Sequence, residues 1–273
     1  MLEAELRGKM PEDLTDNEDL LTSTAFGLLK YVPPSVFWTT ILNRAKSRSG
    51  TSFTDKCEQC GVRIDAYDKI TLHFWPYHEK HGQPDILIVL HGGRQLPLFF
   101  IIEVKLWSQK SGKGPSDQLY RYLQALDDFH WLRGISQLGE PFLSSGVIYL
   151  TPRVAWDEID ESIECAGNPQ RARNDLFNLH WQDVSETAKC LSFSVSEPCR
   201  SILSDIAKLL EYKGLQHFYG FTEPPVPMLF PVLRFYPENH FGGFTQLDLD
   251  LVPQSAVNFY EIGRNDSGTR RAR

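Results

Sequence analysis

PDILIVLHGGRQLPLFFIIEVKLW, residues 84 to 107, holds two apolar runs, Ile86 to Leu90 and Leu96 to Ile102. Between them His91-Gly92-Gly93-Arg94-Gln95 is a turn signal of the kind that joins antiparallel strands. The first run follows Pro84-Asp85, and the second ends in Glu103-Val104-Lys105. Charged groups in what otherwise reads as buried strand need a reason, because burying an unpaired charge costs several kcal/mol. With the loop spanning Gly92 to Gln95, Asp85 faces Ile102, and a shift of one residue brings it opposite Glu103. Glu103 and Lys105 are two apart and share one face of the strand.

Two carboxylates about 4 Å apart repel by roughly 4 kcal/mol at an effective dielectric near 20. Lys105 offsets part of that repulsion, and a divalent cation offsets more. Magnesium takes carboxylate oxygens and keeps several waters. It polarises a phosphodiester and lowers the pKa of a bound water, while a lysine orients that water or stabilises developing charge. The plain alternative is an Asp-Lys or Glu-Lys ion pair at a sheet edge.

Around this hairpin the pattern is mixed. Leu20, Leu21, Thr24, Leu28 and Tyr31 recur at helical spacing after Asn17, and Pro33-Pro34 ends the run. A second helix is predicted over Ser35 to Ala45, loop over 46–63, and strand over Ile64 to Pro76. A helix is expected over Ser116 to Leu132, a strand over Gly146 to Leu150, and helices over Trp156 to Cys165 and Pro198 to Tyr212. Beyond Gly214, prolines interleave with aromatics.

Pro84-Asp85 followed by Glu103-x-Lys105 at the end of the next strand resembles the PD-(D/E)XK nuclease superfamily. Gln118-x-x-x-Tyr122 on the following helix resembles an element of its RecB-like branch, and Glu18 falls where the superfamily often carries a helical glutamate near the metal. The resemblance covers residues 17 to 152. It implies an α/β, restriction-endonuclease-like core with a central mixed sheet flanked by helices, plus a C-terminal extension. It also implies that Asp85, Glu103 and Glu18 bind Mg2+ or Mn2+, that Lys105 acts on the nucleophilic water, and that Gln118 positions metal water or Lys105. The implied activity is magnesium-dependent hydrolysis of DNA, in bacterial defence or repair.

The expected organisation is a polar leader (1–16), nuclease core (17–152), helical continuation (153–213), Pro/aromatic-rich extension (214–263) and basic tail (264–273). The 273 residues carry a net charge of -7, which disfavours a generic nucleic-acid coat but leaves a nuclease open. No apolar stretch approaches the ~20 residues of a membrane helix. Five cysteines without a secretory signal point to reduced thiols in a cytoplasm. DNA is the expected partner, with a protein partner or a homodimer besides, and no membrane.

Two rival readings stand beside this one. The first is a nuclease-like interaction module without activity. The second is a zinc-binding DNA reader, since Cys57-x2-Cys60-x12-His73-x4-His78 has Cys2His2 spacing. Pro76 breaks the helix that such a finger needs. Ser111-Gly112-Lys113-Gly114 reads as a loop contacting DNA phosphates, or equally as a solvated loop.

Overall fold

The computed structural model describes residues 17–139 and 141–217, together with residues 6, 7 and 9. The rest of the leader, the extension beyond residue 217 and the basic tail lie outside the described residues. The chain forms an α/β layer structure with one six-stranded mixed sheet. The strands are β1 (Lys46–Ser47), β2 (Lys69–Phe74), β3 (Ile86–His91), β4 (Leu98–Val104), β5 (Leu143–Thr151) and β6 (Leu176–His180), in the spatial order β1-β6-β5-β4-β3-β2. β2, β3 and β4 form an antiparallel meander, β4, β5 and β6 run parallel, and the two-residue β1 closes the far edge antiparallel.

Helices cover both faces. On one lie α1 (Glu18–Leu29), α2 (Trp38–Arg44), α3 (Phe53–Gln59), α8 (Trp181–Ser192) and α9 (Cys199–Tyr212), which pack on Ile86, Ile88, Phe100, Ile102, Ile148 and Phe177. On the other lie α4 (Gln118–Ala125), α5 (Phe129–Ser136), α6 (Trp156–Cys165) and α7 (Pro169–Asp175), over Leu87, Val89, Phe99, Ile101, Val147 and Tyr149. Burial on both faces explains why β3 and β4 read as continuous apolar runs rather than as alternation. Removing one such aliphatic side chain from water contributes about 1.5–3 kcal/mol. Among the described residues no helix is long and apolar enough to cross a membrane.

The hairpin differs from the predicted register by one residue. Facing pairs run from Leu90 with Leu98 to Ile86 with Ile102, so the next pair outward is Asp85 with Glu103. The connection between the last facing pair, Leu90 and Leu98, is residues 91–97, longer than the turn Gly92 to Gln95 alone implies. Gly92 sits at φ +87, and a Cβ there would lie 1.7 Å from the Asp68 carboxylate, so the tight approach requires glycine.

Other elements depart from expectation. The buried face of α1 is Leu21, Thr22, Ala25, Phe26 and Leu29, while Tyr31 is exposed. Residues 46–63 are not all loop: Ser52 and Asp55 form a reciprocal capping box that starts α3. Residues 64–66 are a 3-10 turn, and the strand begins at Lys69. The predicted helix over 116–132 is two helices, broken between Ala125 and Phe129. The segment 153–213 is not helical throughout, because β6 runs through it and joins the sheet.

Candidate active site

The central position of β4 decides the environment of Glu103. With β3 and β5 on either side and α4 above, Glu103 is 1% exposed. Its Oε1 accepts from Lys105 Nζ at 2.7 Å and from Gln118 Nε2 at 2.7 Å. Its Oε2 is buried and meets no protein donor. Asp85 lies across the hairpin, its Oδ2 accepting from the Val104 amide at 2.8 Å, and its carboxyl is within hydrogen-bonding contact of the Glu103 carboxyl.

The electrostatics follow from this crowding. Burial pushes the Glu103 carboxyl up to about 8, the Asp85 charge pushes the same way, and Lys105 opposes both. Burial also raises Asp85, against the pull of the Val104 amide and Lys105. For Lys105 burial disfavours the charge, yet Glu103, Glu18 and Asp85 outweigh it and hold the ammonium above its ordinary range. The chain therefore presents two crowded carboxyls, both held above their ordinary range, beside one lysine whose charge is favoured.

Glu18 opens α1, where Asn17 caps the helix by accepting from the Leu20 amide at 2.9 Å. A carboxylate in the first turn also suits the helix dipole. Its Oε2 accepts from the Leu106 amide (2.7 Å) and Ser108 Oγ (3.0 Å), and Oε1 lies 3.4 Å from Lys105 Nζ. Glu18 thus braces Lys105 and the turn after β4. The expected three-carboxylate cluster does not form, since no choice of one oxygen each brings Glu18, Asp85 and Glu103 all within 4.8 Å of one another. The physical reason is that two backbone and hydroxyl donors of the turn already hold Glu18.

Gln118 is the first residue of α4, whose N-cap Asp117 accepts from the Tyr120 amide. Its Nε2 reaches Glu103 and, at 3.1 Å, the Tyr122 hydroxyl one turn on; its Oε1 accepts from the Ser111 amide at 3.0 Å. The Tyr122 hydroxyl in turn donates to the Gln83 carbonyl, two residues before Asp85. Gln118 therefore aims the Glu103 carboxylate rather than contacting Lys105. On the metal-dependent reading proposed below, Gln118→Ala is expected to lower turnover at least tenfold, as for outer-shell partners of metal ligands (about 10–100-fold). The lost bonds cost about 1–2 kcal/mol of stability, or a few degrees in Tm. A variant that melts early with unchanged specific activity would mark Gln118 as purely structural.

The loop after β4 is built rather than loose. Lys110 is buried between Asp117 and Glu161 (3.2 Å to the latter). Gly112 has φ +78, and a Cβ there would strike the Ser116 carbonyl at 2.0 Å. Lys105 and Lys110 are engaged in internal ion pairs, whereas Lys113 on the same loop is exposed. Arg44 is likewise held by Asp183 (3.1 Å) and Glu186 (2.5 Å).

Two other metal-like groupings differ in whether their side chains converge. Cys57, Cys60, His73 and His78 do not meet: Cys57 is buried on α3 near Ser145, Cys60 is exposed, His73 is on β2, and His78 faces Asp128 at 3.3 Å. Burial pushes the Cys57 thiol up to about 11. With a thiol reagent at pH 8, exposed Cys60 and Cys190 are expected to react rapidly and Cys57 only on unfolding. Chelator-dependent unmasking of Cys57 in the folded chain would restore the zinc reading. Asp183, Glu186 and His217 do offer ligand atoms within 4.8 Å. There the Arg44 guanidinium is already the counter-charge.

Comparison of the chain with family models, curated proteins and solved structures finds no match.

Proposed function

We propose that the chain is a metal-dependent deoxyribonuclease with a restriction-endonuclease-like core, similar to the RecB-like branch of the PD-(D/E)XK superfamily. The observation that carries this reading is Glu103: fully buried, opposite Asp85, with one oxygen held by Lys105 and Gln118 and the other without a donor. A buried acceptor left unmatched costs about 1–3 kcal/mol, more if charged, and a cation between the two carboxylates removes that cost. The donor set is two hard carboxylate oxygens, which suits Mg2+ or Mn2+.

Asp85 and Glu103 would hold the ion, which when bound supplies Lewis-acid activation of water and of the phosphodiester. Lys105, held protonated by its neighbours, serves as a donor and not as a base. It would orient the attacking water and stabilise charge that develops on the phosphoryl oxygens. Attack at phosphorus breaks the bond to one sugar oxygen, leaving a phosphomonoester and a hydroxyl. Glu18 steadies Lys105, and Gln118 steadies Glu103.

The test is a calorimetric titration with Mn2+. One binding event that disappears in Asp85→Asn supports the reading; an identical isotherm for parent and variant contradicts it. The non-catalytic module has one observation in its favour, because Lys105, Glu103 and Gln118 already form a closed network. A parent chain that binds no divalent ion at the two carboxylates is what that reading expects.

A further inference from the structure

A cleft of about 270 Å³ opens beside Lys105, between the turn after β4 and the end of β5. Its inner wall is Tyr149, 1% exposed, and Thr151, 3% exposed. Glu158, half-buried, also lines it, its Oε2 accepting from the Tyr149 hydroxyl (2.7 Å) and the Lys110 amide (2.8 Å). Its outer lining carries Trp107, 67% exposed, and the exposed Arg153. Among the described residues Arg153 makes no ion pair. The lining therefore combines the half-buried Glu158 carboxylate and the Lys105 ammonium with an exposed aromatic face and an exposed guanidinium.

That combination suits one ligand class. Glu158 Oε1, the oxygen that Tyr149 and the Lys110 amide leave open, accepts from an exocyclic amine, as acidic side chains do toward bases. An exposed indole stacks on any base, since every base has a π-face. A guanidinium without a partner binds phosphate through paired donors. The volume lies just under the ~300 Å³ at which pockets for larger organic ligands begin, so it accommodates one nucleotide and not a base pair.

We propose that this cleft holds a single unpaired nucleotide beside the scissile bond, stacked on Trp107 with its phosphate on Arg153, so that the substrate is single-stranded DNA or a duplex end bearing an overhang. This rests on the nuclease reading for the scissile bond, while the cleft itself is judged by binding alone. Both deciding residues are exposed, so changing them leaves the fold intact, which a melting curve checks.

The experiment follows the anisotropy of fluorescein-labelled oligodeoxycytidylate in EDTA, with a blunt hairpin duplex as competitor. The parent is expected to bind the single strand more tightly than the blunt duplex. Trp107→Ala is expected to weaken binding by about five- to a hundredfold, the range for loss of one base–aromatic stack, with much of it restored by Trp107→Phe. Arg153→Glu is expected to weaken it at least tenfold and to flatten its salt dependence, as loss of a phosphate contact does. Unchanged affinity in both variants, or tighter binding of the blunt duplex, overturns the proposal. Cleavage of blunt duplex with magnesium but no binding of oligodeoxycytidylate sinks the cleft and leaves the nuclease standing. Trp107-dependent binding without cleavage by any divalent ion does the reverse.

Discussion

Glu103→Gln is expected to abolish DNA cleavage, by roughly 10²–10³-fold or more, the loss typical when one preorganised transition-state contact is removed. The substitution keeps the shape of the side chain. The amide oxygen continues to accept from Lys105 and Gln118, the two donors 2.7 Å from Glu103 Oε1. Its amide nitrogen then replaces the oxygen that meets no donor and turns toward the Asp85 carboxylate. A repulsive pair becomes a donor–acceptor pair, offsetting the charge that Lys105 loses. The melting temperature is therefore expected to stay within a few degrees of the parent, and DNA binding to persist. Full activity in Glu103→Gln, or its failure to fold, would remove Glu103 from the chemistry.

Lys105→Met is the second large effect. Methionine retains most of the stem that packs against the end of β4 and loses the ammonium. Cleavage is expected to fall by a comparable factor, because no protonated donor remains at the attacking water. Divalent-ion affinity is expected to be equal or higher, since a cation that competes for the Glu103 carboxylate is gone. Removing one partner of a buried pair costs up to about 3–5 kcal/mol where the other charge stays. Here Glu103, already pushed up to about 8 by burial and Asp85, can take a proton instead, so the cost in stability is expected to be smaller. Added magnesium should raise the Tm of Lys105→Met more than that of the parent. Equal shifts in both, measured by thermal denaturation, would mean that ion and lysine do not share a carboxylate.

The paired runs of residues 84–107 are legible in sequence as a hairpin because both strands are buried on both faces, which leaves few alternatives for so long an apolar stretch. The register is less legible. It turns on Gly92 and Gly93, both at positive φ, and one residue of loop decides whether Asp85 faces Ile102 or Glu103. The pairing of Glu103 with Lys105 follows directly from strand alternation. The place of Gln118 does not: its contact with Glu103 depends on how α4 crosses the sheet, a tertiary fact.

Glu18 illustrates the same limit from the other side. Its position at the start of a capped helix is readable, but the turn amides and hydroxyl that capture it lie about ninety residues away, at Leu106 and Ser108. β6 escapes sequence reading for a local reason. Leu176–His180 is short and runs into α8 at Trp181 with no Gly or Pro between them. The helix α3 escapes because its seven residues are mostly polar, and only the Ser52–Asp55 capping box marks its start. Trp107 and Arg153 carry no motif at all; only the cleft brings them together.

The most direct measurement is cleavage of plasmid and oligonucleotide DNA by the parent chain with Mg2+, with Mn2+ and with EDTA, beside Glu103→Gln from the same preparation. Expected is turnover with either ion, none in EDTA, and none in the variant under any condition. A folded parent that cuts no DNA, single-stranded or duplex, with either ion would contradict the assignment of Asp85, Glu103 and Lys105 to hydrolysis and leave the interaction module.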